Sequence, residues 1–126
     1  DFPGGWSADP SDKFKTSSLD AKELEAFDYF KRLANLRKNS PAIKQGTLKQ
    51  YIPQNGVYVY FRLHEKQKIM CLVNTSAEDV PISMDRFNEV LTGTTSLVNA
   101  MTGNVITKPS RLVIPSKSFQ IFELKN

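Results

Sequence analysis

The residues able to do chemistry in this sequence are few and scattered. Glycosidic chemistry needs two carboxylates roughly 5–9 Å apart across a cleft. The candidates are Asp1, Asp9, Asp12, Asp20, Asp28 and Glu123, and none is expected at a strand end facing another across a cleft. Asp20 and Glu23 already have a role at a helix start. His64 sits at a strand end beside Glu65-Lys66, with no nucleophile at a telling spacing, and reads as a solvated turn histidine. Cys71, the single cysteine, lies inside an apolar strand and reads as a buried structural thiol. One cysteine excludes an internal disulfide and a thiolate metal cluster. One histidine without paired ligand spacing argues against zinc, so neither a metal site nor a catalytic residue is expected. Gly4-Gly5 lacks the strand, helix and third glycine of a dinucleotide loop. The aromatics are left. Trp6, the only tryptophan, stands in a loop where it suits a pyranose ring or packing against a missing partner. Tyr51, Tyr58 and Tyr60 could stack on a sugar, although alternation along a strand also explains Tyr58 and Tyr60.

The 126 residues amount to one domain, or a small domain with an appendage. With 40% hydrophobic and 24% charged residues, the composition is that of a globular protein rather than a disordered one. No apolar run approaches the ~18 residues of a membrane span, and no basic region followed by an apolar core marks a signal peptide. The chain opens on Asp1-Phe2-Pro3-Gly4-Gly5-Trp6 without an initiator methionine, and is expected to be a piece of something longer. The net charge of +4 comes from positives spread along the chain. Nucleic-acid binding would concentrate them on one face.

Residues 1–18 read as a loop, expected to be extended and poorly ordered in the absence of a partner. A helix follows. Asp20 and Glu23 form a capping box, and Leu19 and Leu24 have the spacing of a hydrophobic staple. Ala26, Phe27, Phe30, Leu33 and Ala34 make an apolar stripe that Leu24 and Leu36 widen. Arg37 projects from the stripe, able to snorkel or to pair with a carboxylate of another element. Arg37 and Lys38 suit the helix C-terminus, Pro41 stops the helix, and Gly46 marks the passage onward. From residue 47 the period is two. Strands are expected at Thr47–Ile52, Val57–Leu63, Lys68–Asn74, Val80–Met84, Ser96–Ala100, Asn104–Ile106, Arg111–Ile114 and Phe119–Leu124, with Arg86–Leu91 ambiguous. Pro53-Gln54-Asn55-Gly56 and Thr102-Gly103-Asn104 read as turns. Lys68–Asn74, apolar on both faces, should be a central strand. Short strands at such intervals, with no recurring helix, indicate an antiparallel sandwich or barrel.

Several strings together resemble the neopullulanase and cyclomaltodextrinase-like enzymes of the alpha-amylase family, glycoside hydrolase family 13. Asp1–Trp6 resembles the loop after their eighth barrel strand. Phe30–Gly46, with its leucine-arginine pair, proline, aliphatic residue and glycine, is similar to their last barrel helix. Val57–Arg62 resembles the aromatic-arginine strand opening the C-terminal domain. Ile69–Asn74 resembles the next strand, which closes on asparagine, and Leu112–Pro115 and Ser118–Leu124 resemble the last strands. The resemblance implies that 1–46 is the loop and last helix of a truncated (β/α)8 barrel and that 47–126 is a mainly β, antiparallel Greek-key β-sandwich. It implies that Leu24, Phe27, Phe30, Leu33, Leu36 and Arg37 pack at the barrel and domain junction, and that Asp1 and Trp6 shape the sugar cleft. The family's catalytic carboxylates lie on earlier barrel strands, and nothing here matches them. The chain would be the non-catalytic C-terminal part of a retaining alpha-1,4-glucan hydrolase, with the barrel as its partner and alpha-glucans reached through it. Calcium, frequent in the family, would sit in the barrel. A bacterial periplasmic or secreted location is implied for the parent. Two alternatives stand: a carbohydrate-binding β-sandwich module using Tyr51, Tyr58 and Tyr60, and a structural or protein-interaction domain.

Overall fold

The two-residue period of the second part becomes eight strands in a computed structural model, which describes residues 3–126. They are β1 (Thr47–Gln50), β2 (Val57–His64), β3 (Gln67–Asn74), β4 (Val80–Ser83), β5 (Ser96–Asn99), β6 (Val105–Thr107), β7 (Arg111–Ile114) and β8 (Ser118–Lys125). All pairings are antiparallel. One sheet has the order β1-β2-β3-β8-β5-β6, and the other pairs β4 with β7. β3 is interior to the six-stranded sheet, as its two apolar faces require. The β1–β2 connection closes on Asn55 and Gly56, whose φ values of 51° and 78° are those of a tight asparagine-glycine turn. Gly103, also at positive φ, turns the chain between β5 and β6.

The alternating residues Val57, Val59 and Phe61 of β2 point to the core, with Met70 and Leu72 of β3 and Phe122 and Leu124 of β8. Ile114 of β7 meets them, and Val80, Ile82 and Leu112 pack against the cluster from the smaller sheet. The two sheets thus form the expected β-sandwich. The ambiguous segment resolves as a 3-10 turn, Met84–Phe87, followed by one turn of helix, α3 (Asn88–Leu91). Met84, expected on strand β4, lies instead in that turn. Ser83 Oγ accepts a hydrogen bond from Asp85 N and so ends the strand. Met84, Phe87, Val90 and Leu91 are buried, closing the end of the core.

Helix α1 (Ala21–Asn39) has the capping box read from the sequence. Glu23 N donates to Asp20 Oδ1 at 2.9 Å, and Asp20 N donates to Glu23 Oε2 at 2.8 Å. A second short helix, α2 (Pro41–Gln45), follows the stop. Ser40 caps it with an oxygen accepting from Ile43 N, and Pro41 occupies its first turn, where the missing N–H costs nothing. Gly46 closes it for a steric reason: a Cβ there would run into the Ala42 carbonyl. The chain forms two compact units, Asp1–Asn35 and Leu36–Asn126.

Residues 3–18 are not extended. Lys13 N donates back to the Pro3 carbonyl at 3.0 Å, and Gly4 is buried. Asp9 Oδ2 accepts from Gly4 N at 2.8 Å and Trp6 N at 3.3 Å. Short polar side chains folding onto their own backbone close this loop.

Candidate functional site

In the first unit, the Asp9 carboxylate holds the loop that presents Trp6, which is 80% exposed. Lys13 ties the loop to the start of α1: its ammonium donates to Glu23 Oε2 at 2.6 Å and to the Ser18 carbonyl at 3.0 Å. The Lys13 bond, then the Asp20 backbone bond, hold the Glu23 carboxyl below its ordinary range. The expectation for Asp1 lies outside the described residues.

Leu24, Phe27 and Phe30 of α1 are exposed, Phe30 to 69%. Leu33 and Leu36 are half-buried, while Arg37 is exposed and has no ion pair among the described residues. Pro3, Leu19, Ala26 and Phe27, with Lys13 and Glu23, line a largely apolar recess. A free helix with so many large apolar groups in water leaves burial energy unused.

In the second unit the three tyrosines divide between faces. Register pairs Lys49 with Phe61, which places position 51 on the core side. Tyr51 packs edge-on to Phe61 and Phe87, with ring centroids 5.8 and 4.8 Å away. Tyr58 and Tyr60 lie on the opposite face, 5.4 Å apart and tilted by 30°. The Tyr58 hydroxyl donates to Gln50 Oε1 at 2.7 Å. Burial, then pairing with the Cys71 thiol, pushes the Tyr60 phenol up, and burial likewise raises Cys71. Cys71 is therefore held as the neutral thiol within the sheet.

Asp12, Glu123 and His64 have structural partners. Asp12 pairs with Lys15 at 3.1 Å, and Glu123 pairs with Lys125 at 2.6 Å. His64 Nδ1 accepts from Lys66 N in the β2–β3 turn. Among the described residues no group of three His, Cys, Asp or Glu side chains is placed to hold a metal ion. Arg62 has a role that spacing alone did not reveal. Its guanidinium reaches the Ala42 and Ile43 carbonyls at 3.4 and 3.3 Å, capping α2 and fixing it to the sheet.

Tyr51 also donates to Glu89 Oε1 at 2.6 Å, while Lys49 holds the other carboxylate oxygen at 2.8 Å. Burial first, and then the Glu89 bond, raise the Tyr51 phenol to about 12. The folded state thus favours the neutral phenol. Its stabilisation is complete below the unfolded value of about 10 and is lost as pH rises towards about 12. Tyr51→Phe is expected to flatten part of the alkaline fall in the urea midpoint, measured from pH 9 upward. An alkaline limb identical to wild type would show that this phenol contributes nothing.

The second unit is a sandwich of antiparallel strands. Residues 48–123 match the family described as the cyclo-malto-dextrinase C-terminal domain, and the chain belongs to that family. It is 35% identical over 104 residues to a cyclomaltodextrin glucanotransferase of Bacillus licheniformis, covering 80% of this chain and 14% of that protein. It is 33% identical over 104 residues to an alpha-amylase of Niallia circulans, covering 80% and 19%. The fold is shared with AmyP, solved in complex with maltose, at a TM-score of 0.70 and 19% identity, covering 84% of this chain and 21% of that one. The chain thus spans a fifth or less of the length of these two sequence relatives. No helix among the described residues is long and apolar enough to cross a membrane.

Proposed function

We propose that this chain is the non-catalytic C-terminal part of an alpha-glucan hydrolase and that it stabilises the enzyme's catalytic (β/α)8 barrel. The observation that carries the reading is the uncovered face of α1, where Leu24, Phe27 and Phe30 stand in water. At roughly 25 cal/mol per Å² of apolar area, docking a few such side chains is worth several kcal/mol. Relatives named for cyclomaltodextrin and amylase activities support a parent acting on alpha-1,4-linked glucans. In the parent, barrel carboxylates would carry out retaining chemistry, and any calcium would be bound in the barrel. Trp6, held out by its loop, suits the rim of the sugar cleft. A periplasmic or secreted bacterial location follows from the family resemblance and is testable by fractionation.

The test is the pair Phe27→Asp and Phe30→Asp in the full-length parent. The parent should melt several degrees lower, with turnover per folded molecule retained. In the 126-residue chain the same pair should leave melting of the second unit unchanged. A parent that melts and turns over like wild type would overturn the docking role.

A further inference from the structure

Asn55 is the one asparagine of the sequence that a glycine follows, and it stands exposed at the tip of the β1–β2 connection. Chemical change concentrates at such tips, where backbone and water meet. An asparagine there is open to attack by its own chain. The backbone nitrogen of the next residue bonds to the side-chain carbonyl carbon and closes a five-membered ring. A following glycine favours the attack, because no Cβ crowds its nitrogen.

In a folded chain the hydrogen bonds decide which asparagines react. Among the described residues, neither the Asn55 side-chain amide nor the Gly56 N–H makes a hydrogen bond. The bonds that form the turn skip both. Gln54 N donates to the Val57 carbonyl at 3.0 Å, and Val57 N donates to the Gln54 carbonyl at 2.9 Å. Gly56 is fixed through its carbonyl instead, which accepts from Thr75 N at 3.1 Å and Thr75 Oγ1 at 3.2 Å. The Gly56 proton is thus left to water and base. After Asn39, Asn74 and Asn99 the next nitrogen is engaged. Ser40 N donates to the Leu36 carbonyl at 2.9 Å, Thr75 N to that of Gly56, and Ala100 N to that of Ile121 at 2.8 Å. Asn74 is also buried, and Asn104 precedes the branched Val105, whose side chain crowds the nitrogen.

We infer that Asn55-Gly56 is a site of spontaneous deamidation in the folded chain. Gly56 N gives up its proton to base and bonds to Asn55 Cγ. The Cγ–Nδ2 bond breaks, and the amide nitrogen takes up a proton and leaves as ammonia. Water then opens the succinimide ring. Opening at Cγ gives an aspartyl residue, and opening at the main-chain carbonyl gives an isoaspartyl residue. Water is the only co-reactant. Either product adds a negative charge, and the isoaspartyl form routes the main chain through the side chain, lengthening the turn by a methylene. A lengthened turn no longer matches the two-residue geometry that sets Gln54 against Val57. β1 is an edge strand that pairs with β2 alone, so the lesion should fray β1 and spare the ladder of β2, β3 and β8. The site is independent of the docking role.

The test is incubation of the folded 126-residue chain in mildly alkaline buffer, followed by peptide mapping with mass spectrometry. The Asn55 peptide should gain the mass difference between OH and NH2 before any other asparagine peptide does, and should split into two isomers. Ammonia should appear in equal amount, and labelling by an isoaspartyl methyltransferase should rise in step. Amide exchange of the aged chain should quicken through residues 47–52 and stay unchanged in β3 and β8. Asn55→Gly retains a turn that accepts positive φ at both positions. That variant should lose the mass gain and the label at this peptide while melting like wild type. An Asn55 peptide still intact when other asparagines have converted, or conversion confined to the urea-unfolded chain, would overturn the site. Unchanged exchange in β1 after full conversion would overturn the effect on the edge strand.

Discussion

Asn74→Asp is expected to destabilise the sandwich by about 3–5 kcal/mol, the range seen when a buried polar network is broken and a charge stranded. The buried Asn74 amide nitrogen donates to the carbonyls of Glu78 at 2.8 Å, Ile114 at 3.0 Å and Pro115 at 3.0 Å. Its oxygen accepts from the Ser76 backbone at 2.9 Å and the Ser76 hydroxyl at 2.7 Å. One side chain thereby joins the end of β3, the loop leading to β4 and the end of β7, so it ties the two sheets at one edge. A carboxylate keeps the acceptor and loses both donors, and it faces carbonyl oxygens of like polarity. The variant's urea midpoint should lie far below wild type at neutral pH. The gap should narrow under acid, where the carboxyl regains a proton to donate. A midpoint within 1 kcal/mol of wild type at neutral pH would show that the asparagine is not the tie described here.

Phe61→Ala should cost about as much, ~3–5 kcal/mol, through a different term. Phe61 is completely buried on β2 and packs against Tyr51 and Phe87, with both ring centres 5.8 Å away. Truncation removes its transfer energy and leaves a cavity between the six-stranded sheet and the 3-10 turn. Strand partners on both sides hold the backbone in place, so the hole cannot close easily. For a unit of this size that is a fall in melting temperature of more than about 12 °C, readable by calorimetry. Phe30→Ala is the control. That ring is mostly in water, so the same change should be nearly silent in this chain. A Phe61 variant that melts within a few degrees of wild type would mean that the core repacks around the loss.

These two residues also mark what the sequence shows and what it hides. The alternation of Val57, Val59 and Phe61 with Tyr58, Tyr60 and Arg62 is a local property of the sequence, and the structure turns the first set to the core. The capping box at Asp20 and Glu23 is equally local, as is the asparagine-glycine turn. The segment 86–91 is ambiguous in the sequence because it is short and carries both periods, and Met84 continues the alternation of β4. The spacing of Met84, Phe87, Val90 and Leu91 is nonetheless helical, and burial against the sandwich decides in its favour. Asn74 was recognisable as a strand end, but its acceptors at Glu78, Ile114 and Pro115 lie up to 41 residues away and depend on how the sheets stack. Tyr51 is hidden for the same reason. Only the register of Thr47 opposite Leu63 places it on the core side, away from Tyr58 and Tyr60. The turned loop of residues 3–18 was missed because Asp9 looked like any polar loop residue until its carboxylate met Gly4 and Trp6.

The order of strands has a bearing on how the domain comes into being. β8 is the last of the eight strands to leave the ribosome, yet it lies between β3 and β5, pairing with both. Until it is made, β1, β2 and β3 can form only a meander with a bare, apolar edge, and β5–β6 is a hairpin with nothing to join. Both are species prone to pair with the wrong chain. The sheet therefore closes after synthesis has passed Lys125, by contacts that span much of the sequence, and such non-local closure is slow. A chain cut short before Ser118 would be left with two half-sheets rather than a slightly shortened domain, which makes β8 the checkpoint of the sheet's assembly.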